Sequence, residues 1–167
     1  MSSTYIDPTA DVSPDASIGA GCLIWNWTKV RESARIGEGV SIGQSCYIDH
    51  GVVIGDRCKI QNSVSVYHGV TIGNKVFIGP SVTFTNDRYP HAAAPRSRTW
   101  STFVGDNVSI GANATIVCGV EIGEQAMVGA GSVVVEDVPP RTLVVGNPAR
   151  ILRLLGDEEL EGTTGDG

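Results

Sequence analysis

An aliphatic residue recurs at every sixth position along most of this chain, and no other feature constrains the fold as strongly. One series runs without a gap from Ile6 to Phe84, and a second runs from Val104 to Val134. Inside both series a small or β-branched residue follows four positions later. This hexapeptide period is a signature of the parallel β-helix, in which three short strands form one 18-residue coil. The sequence therefore predicts an all-β fold of stacked coils.

The period is interrupted once, from residue 85 to residue 103, and it stops at Pro139-Pro140. A long excursion from a regular scaffold is typical of a loop with a functional role, so we expect the loop 85–103 to shape a binding site. Residues 149–155 follow Pro148 and precede Gly156, which predicts a short helix that caps the last coil. The domain is thus predicted to span residues 1–155, followed by an acidic, disordered tail from 156 to 167.

The charge of the chain argues against a nucleic-acid partner. The net charge is −6, and five of the 18 acidic residues lie in the last twelve positions, which contain no base. The remainder has 13 acids and 12 bases, so it lacks the basic surface that phosphate backbones require. No apolar stretch is long enough to span a membrane and the N-terminus has no signal-peptide pattern, so we expect no membrane partner and a cytoplasmic protein.

The four cysteines do not have the spacing of a metal site. Cys22, Cys46 and Cys58 occupy the small-residue position of the hexad, where we expect them to be buried as small hydrophobic side chains. No Cys-x-x-Cys motif is present, and no metal is expected. Cys118 lies at a different hexad position.

Residues 18 apart lie above one another in a β-helix of this type, and one such column is polar. Two positions after the aliphatic residue, the column contains Glu32, His50, His68 and Asn86, with neighbouring members about 5 Å apart. Histidine is the usual proton acceptor near neutral pH, so His68 and Asn86, directly below the loop, are the predicted catalytic residues. His50 fits either a functional role or a solvated ladder of side chains. Glu32, His50 and Arg88 are predicted substrate contacts.

A second column changes character along the chain. It contains Asn26, Gln44 and Asn62 in the lower coils, and Ala112 and Ala130 in the upper coils if the loop returns the chain to the same face. Small residues above polar ones suit a narrow slot that accommodates a flexible pantetheine arm.

Together the hexads, the excursion and the closing segment 145–150 (Val-Gly-Asn-Pro-Ala-Arg) resemble the hexapeptide-repeat acyltransferases. The resemblance covers residues 5 to about 155. Within that family, Trp25, the segment 59–67 (Lys-Ile-Gln-Asn-Ser-Val-Ser-Val-Tyr) and Phe84-Thr85-Asn86 are similar to the nucleotide-amino-sugar N-acetyltransferases.

This resemblance implies a left-handed β-helix and a homotrimer whose active sites lie between two subunits. It also implies transfer of an acetyl group from acetyl-CoA to the 3- or 4-amino group of a UDP- or dTDP-linked deoxysugar. Asn86 is then a contact of the substrate amine, and Gln61 and Asn62 are substrate-binding residues. Ala112, Ala130 and Arg150 are the predicted contacts of acetyl-CoA.

Three alternatives remain open from the sequence. The first is an O-acetyltransferase that acts on a sugar hydroxyl; the maltose and galactoside enzymes carry a His directly before a Pro in the loop, whereas here Tyr89 precedes Pro90 and His91 follows it. The second is a metalloenzyme similar to the γ-carbonic anhydrases, although His50, His68 and His91 do not include the closely spaced pair of that family. The third is a non-catalytic scaffold.

Overall fold

The computed structural model describes residues 3–93 and 99–164, and their strands form three sheets that run the length of a triangular prism. The strands of each sheet pair in parallel, except for the last pair of sheet A. Sheet A contains β1 (Tyr5–Ile6), β4 (Leu23–Ile24), β7 (Ser41–Ile42), β10 (Lys59–Ile60), β13 (Phe77–Ile78), β16 (Ser109–Ile110), β19 (Met127–Val128), β21 (Thr142–Val145) and β22 (Arg150–Leu154). Sheet B contains β2 (Asp11–Val12), β5 (Lys29–Val30), β8 (Tyr47–Ile48), β11 (Ser65–Val66), β14 (Thr83–Phe84), β17 (Thr115–Ile116) and β20 (Val133–Val134). Sheet C contains β3 (Ser17–Ile18), β6 (Arg35–Ile36), β9 (Val53–Ile54), β12 (Val70–Ile72), β15 (Thr102–Val104) and β18 (Glu121–Ile122).

The register of the strands confirms the predicted parallel β-helix. Ile42 pairs with Ile60, and Ile60 pairs with Ile78, so the chain returns to the same place after 18 residues. Across the loop, Ile78 pairs with Ile110, 32 residues later, so the insertion adds 14 residues without changing the face of any later strand. The condition for the second column is therefore met, and this column continues through Ala112 and Ala130.

The aliphatic residue of each hexad points into the prism, where the side chains of neighbouring coils stack. From Ile24 onward these residues are buried, whereas Ile6 in the first coil is 41% exposed because no coil covers it. Cys22, Cys46 and Cys58 are buried as predicted, and each Sγ lies 3.0–3.1 Å from a backbone carbonyl oxygen to which it donates. Burial raises the pKa of the Cys58 thiol to about 11, so this group stays protonated.

At most corners of the prism, the third residue after the aliphatic position has a positive φ. At Arg57, Ser63 and Lys75 φ is 56°, 60° and 54°, so side chains as long as Arg and Lys occupy the left-handed region here. We name the corners by the sheets that they join: AB, BC and CA.

The predicted helix over residues 149–155 is wrong. The segment Arg150–Leu154 is β22, an antiparallel partner of β21, and it covers the last edge of sheet A. A seven-residue helix has little stability of its own, whereas the edge of β21 offers a row of unpaired backbone groups.

The short helix is found instead in the segment predicted to be a disordered tail. Helix α1 spans Asp157–Thr164; residues 165–167 lie outside the described part of the chain. The Gly156 N–H donates to the Glu159 carboxylate (2.9 Å), which also accepts two hydrogen bonds from the Arg153 guanidinium (2.6 and 2.7 Å). Leu160 is buried, so the helix has an apolar contact as well as charged ones.

The described part of the predicted loop 85–103 comprises residues 85–93 and 99–103. It contains no helix, and strand β15 already begins at Thr102, two residues before the predicted end of the loop. Pro95, Arg96 and Arg98 lie outside the described residues. No helix in residues 3–93 and 99–164 has the length and apolar character needed to cross a membrane.

Candidate active site

The BC corner carries the predicted polar column. Because β8, β11 and β14 pair in register, His50, His68 and Asn86 occupy equivalent positions in three successive coils. The two imidazole rings stack almost parallel, with 4.0 Å between their centroids and 8° between their planes. The sequence therefore located this column correctly.

The hydrogen bonds of the two histidines define which ring nitrogen carries the proton. His68 Nδ1 lies 3.0 Å from the carbonyl oxygen of His50, which only accepts, so Nδ1 is the donor. His50 Nδ1 lies 3.0 Å from Oδ1 of Asp49, and a carboxylate likewise accepts. In the neutral form of each ring, the lone pair is consequently on Nε2. Both rings are partly exposed, so a proton acceptor is available to a ligand at this corner.

Asp49 holds the BC corner together by accepting hydrogen bonds from two coils, a role that no motif in the sequence indicated. Its Oδ1 accepts hydrogen bonds from the backbone N–H of His50 (2.8 Å), the His50 ring and the Tyr47 hydroxyl (3.0 Å), while Oδ2 accepts the backbone N–H of His68 (3.1 Å). Asp49 is 6% exposed. Burial pushes the pKa of this carboxyl upward, but the hydrogen bonds from His50, His68 and Tyr47 outweigh burial and hold the pKa below its ordinary value. One ionised carboxylate thus fixes residues of two coils.

The carboxylate of Glu32, the lowest polar member of the column, is already bound by the adjacent Arg31. Arg31 donates to both oxygens of its carboxylate, and this interaction lowers the pKa of Glu32. The Arg31 guanidinium also reaches Oδ1 of Asp49 at 3.4 Å. Glu32 is therefore part of an ion pair at the foot of the column, and its predicted contact with substrate stays a prediction.

Asn86 lies one coil above His68, at the point where the loop leaves the prism. Its half-buried side-chain amide makes no hydrogen bond within residues 3–93 and 99–164. The preceding residue, Thr85, accepts the backbone N–H of Cys118 through Oγ1 (3.0 Å) and fixes the backbone at this point. Among the described residues, the Asn86 amide therefore has unused hydrogen-bonding capacity.

Arg88 anchors the base of the loop. It donates to the carbonyl oxygens of Cys118 (3.3 Å) and Val135 (3.4 Å), and its guanidinium carbon lies 5.8 Å from the centre of a Trp100 ring. Gly119 has φ of 85°, and a Cβ there would lie 3.1 Å from Trp100 Cε3, so a side chain at this position would displace the indole. The structure gives Arg88 a structural role, and the predicted contact with substrate stays untested.

The AB corner carries the other predicted binding residues. Gln61 and Asn62 line an open cleft of about 250 Å³ together with Trp25, Asn26 and Gln44. Asn62 also has a structural function, because its Oδ1 accepts the backbone N–H of Gln44 in the coil below (3.1 Å). Above the cleft, the same corner presents Ala112 and Ala130, which replace the amides with small side chains; their contact with CoA stays a prediction.

Sheet B separates these two groups of residues. Gln44 and His50 belong to the same coil but lie at opposite ends of β8, and the same holds for Asn62 and His68 across β11. A single chain therefore does not bring Gln61 and Asn62 into contact with the histidines. Arg150 lies on β22 in sheet A, where its guanidinium donates to the carbonyl oxygen of Ala149 (2.8 Å).

A metal site is not formed by the described side chains. Within residues 3–93 and 99–164, no three His, Cys, Asp or Glu residues are grouped so that they could hold a metal ion. All four cysteines are buried and unpaired, including Cys118.

Two curated relatives are informative. The chain is 62% identical over 50 residues to dTDP-3-amino-3,6-dideoxy-alpha-D-galactopyranose 3-N-acetyltransferase of Aneurinibacillus thermoaerophilus, covering 30% of this chain and 26% of that protein. It is 37% identical over 151 residues to serine acetyltransferase 2 of Arabidopsis thaliana, covering 89% of this chain and 34% of that protein. The chain thus spans about a quarter to a third of the length of these relatives.

Among solved structures, PerB from Caulobacter crescentus, described as a complex with CoA and GDP-perosamine, is 26% identical. The match has a TM-score of 0.54 and covers 91% of this chain and 58% of that one. The family model described as the GMPPB C-terminal domain matches residues 1–87, just over half of the chain. The bacterial transferase hexapeptide model, with six repeats, matches residues 101–135. Together with the parallel β-helix and its 18-residue register, these matches establish that the chain belongs to the hexapeptide-repeat family.

Proposed function

We propose that this protein transfers an acetyl group from acetyl-CoA to the 3- or 4-amino group of a UDP- or dTDP-linked amino deoxysugar. The observation that carries the proposal is the BC corner, where an Nε2 lone pair on His68 lies one coil below the amide of Asn86, which has no hydrogen-bond partner among the described residues. This arrangement supplies a proton acceptor and a hydrogen-bonding group at the spacing of one strand. The 62% identity to a dTDP-amino-sugar N-acetyltransferase over 50 residues supports the choice of acceptor.

The reaction is a direct attack of the amine on the thioester. The Asn86 carbonyl oxygen accepts a hydrogen bond from the amine and orients its lone pair toward the carbonyl carbon of the acetyl group. A C–N bond forms, the C–S bond breaks and CoA leaves as the thiolate. The proton lost by the amine passes to Nε2 of His68, directly or through water, and then neutralises the thiolate. Cys118 takes no part as a nucleophile, because it is fully buried.

The remaining binding residues complete the proposal. Ala112 and Ala130 leave room for the pantetheine arm along the AB corner, and Arg150 is available to a phosphate of CoA. Because sheet B separates the AB and BC corners of one chain, we also propose a homotrimer in which the AB slot of one subunit delivers acetyl-CoA to the histidine column of the next.

The test is an acetylation assay on a panel of UDP- and dTDP-linked 3-amino and 4-amino sugars. We expect release of CoA thiol and a product heavier by one acetyl group in place of one hydrogen. The amide product resists mild alkali, whereas an ester formed on a hydroxyl is cleaved, so the same assay distinguishes the O-acetyltransferase alternative. Absence of acetyl transfer to every amino sugar of the panel, with CoA binding intact, would contradict the proposal.

A further inference from the structure

The cleft at the AB corner contains a set of groups that the proposed chemistry does not use. One wall is the indole of Trp25, which is 41% exposed and held in place by the Tyr5 ring, 5.6 Å away between centroids. The floor is backbone: a Cβ on Gly43 would lie 2.4 Å from Oδ1 of Asn62, so only glycine lets the coils approach this closely. The cleft therefore combines a flat apolar wall with a shallow polar floor.

The polar side chains that line the cleft are all neutral: four amides and the hydroxyl of Ser41. The Gln44 and Gln61 amides make no hydrogen bond to the described residues. The Asn62 Oδ1 is occupied by the Gln44 N–H, which leaves its NH2 group as a free donor. The Asn26 side-chain NH2 donates to Asp7 (3.2 Å), and its side-chain carbonyl oxygen remains available as an acceptor. Several donors and several acceptors thus face the same space.

This set of groups selects the chemistry of the ligand. No charged residue is among those lining the described cleft, so nothing there compensates a phosphate or a carboxylate. An aliphatic ligand would leave the amides unpaired, at a cost in binding free energy. A planar heterocycle with alternating carbonyl and N–H groups on its edge satisfies both requirements, because its face stacks on the indole while its edge pairs with the amides. Nucleobases have this construction.

The position of the cleft relative to the histidines agrees with this ligand. Gln44 and His50 are six residues apart on one coil, and so are Asn62 and His68 on the next. Six residues span at most about 20 Å of extended chain, so the two corners are separated by roughly that distance or less. The base and the sugar amine of a nucleoside diphosphate sugar are also held apart, by a ribose and two phosphates. Such a molecule can lie across the sheet-B face with one end at each corner.

We infer that the Trp25–Gln44–Gln61 cleft binds the nucleobase of the substrate, with the ring stacked on Trp25 and its edge hydrogen-bonded to Gln44 and Gln61. The inference rests on the proposed function for the identity of the substrate. It is independent of catalysis, because the cleft binds the base without any contribution from the histidine column.

The experiment measures binding of UMP, TMP and GMP to the full chain by calorimetry, with ribose 5-phosphate as the ligand that lacks a base. We expect at least one nucleotide to bind and ribose 5-phosphate to bind far more weakly. Trp25→Ala should weaken nucleotide binding about 10-fold or more, the effect of losing one base–aromatic stack. Trp25→Phe should restore much of the affinity, and Gln61→Leu, which keeps the side-chain size, should weaken it.

Phe103→Ala is the matched control, because Phe103 is a 50%-exposed aromatic residue on sheet C, remote from the cleft. Equal nucleotide affinity in wild type, Trp25→Ala and Gln61→Leu, or no preference for nucleotides over ribose 5-phosphate, would overturn the inference. Acetylation of a nucleotide sugar with an unchanged KM in Trp25→Ala would overturn the cleft assignment alone. Trp25-dependent nucleotide binding without acetylation of any nucleotide amino sugar would support the cleft and overturn the proposed function instead.

Discussion

Replacing Asp49 by Asn keeps the shape of the side chain but exchanges one acceptor oxygen for an NH2 group. In the wild type both oxygens accept: Oδ1 from His50 and Tyr47, and Oδ2 from the His68 backbone N–H. If the amide oxygen of Asn faces His50, its NH2 group faces the His68 N–H, donor against donor. If the amide turns around, His50 and Tyr47 lose their acceptor. Either orientation leaves at least one buried donor unpaired.

The magnitude follows from that loss. A hydrogen bond to a charged group contributes about 1.5–3 kcal/mol, and a donor left unpaired in a buried site adds a further cost. We expect Asp49→Asn to lower the free energy of unfolding by about 2–4 kcal/mol, which lowers Tm by about 5–15 °C for a chain of this size. We expect kcat to fall on the order of 10- to 100-fold, because the His50 ring loses its acceptor and the backbone that positions His68 is no longer held. The KM for acetyl-CoA should be unchanged.

The assay combines thermal unfolding with initial rates of acetylation as a function of pH. Asp106→Asn is the matched control, because Asp106 is a carboxylate at the CA corner whose Oδ1 accepts the Asn74 N–H (2.7 Å) but which is exposed. The control should lose less stability and keep its kcat. A rate loss that Asp106→Asn reproduces would show that the effect in Asp49→Asn arises from general weakening of the coils.

Acid provides a direct test of the contribution of the Asp49 charge. Because the folded pKa of Asp49 lies below its ordinary value, its ionised form stabilises the protein above about pH 4. That contribution is lost as the pH falls through the folded pKa. The difference in Tm between wild type and Asp49→Asn should therefore narrow on acidification. Equal Tm and kcat at neutral pH, or a difference in Tm that does not depend on acid, would refute the role given to this carboxylate.

Four further predictions address the mechanism and the fold. His68→Ala should lower kcat/KM on the order of 100-fold while Cys118→Ala stays close to wild type in steady-state assays; the reverse pattern would indicate a covalent intermediate. Asn86→Ala should lower kcat strongly and leave Tm almost unchanged, because the amide has no partner in the described structure to lose. Ile54→Asp should abolish soluble protein, because it places an unpaired charge in a position that is 1% exposed; a soluble folded variant would contradict the hexad frame. Glu159→Gln should speed amide hydrogen exchange in helix α1. Hydrogen bonds from Arg153 hold the pKa of Glu159 at about 2, so wild type should lose this stabilisation of the helix only as the pH falls from about 4 toward 2.

The sequence was sufficient for the β-helix because the six-residue period specifies both the strand and the face of every residue. The 18-residue spacing predicted that His50 and His68 share one column, and their rings stack there. The loop returns the chain to the same face, which was the condition for the second column to continue. The C-terminal segment lies beyond the period, and there local pattern misled: Pro148 and Gly156 punctuate the segment like a helix, yet backbone pairing with β21 determines its structure. Such pairing depends on a tertiary neighbour that is not apparent from the segment itself.

The role of Asp49 was hidden for a different reason, which also distinguishes the BC corner from the others. In three coils of the CA corner the second residue after the aliphatic position is Asp56, Asn74 or Asp106. Each of these side chains accepts the backbone N–H of the equivalent residue one coil below (2.7–2.9 Å). An Asp or Asn at that position is therefore explained by the turn alone. His68 occupies the same position at the BC corner but uses its Nδ1–H to donate to the His50 carbonyl, so it does not cap the N–H below. Asp49, one position earlier in the hexad, supplies the missing acceptor for two coils. At the BC corner, histidine thus replaces the capping residue, and a carboxylate precedes this histidine. The fold requires neither side chain, so the structure of the turn alone does not explain why they are present.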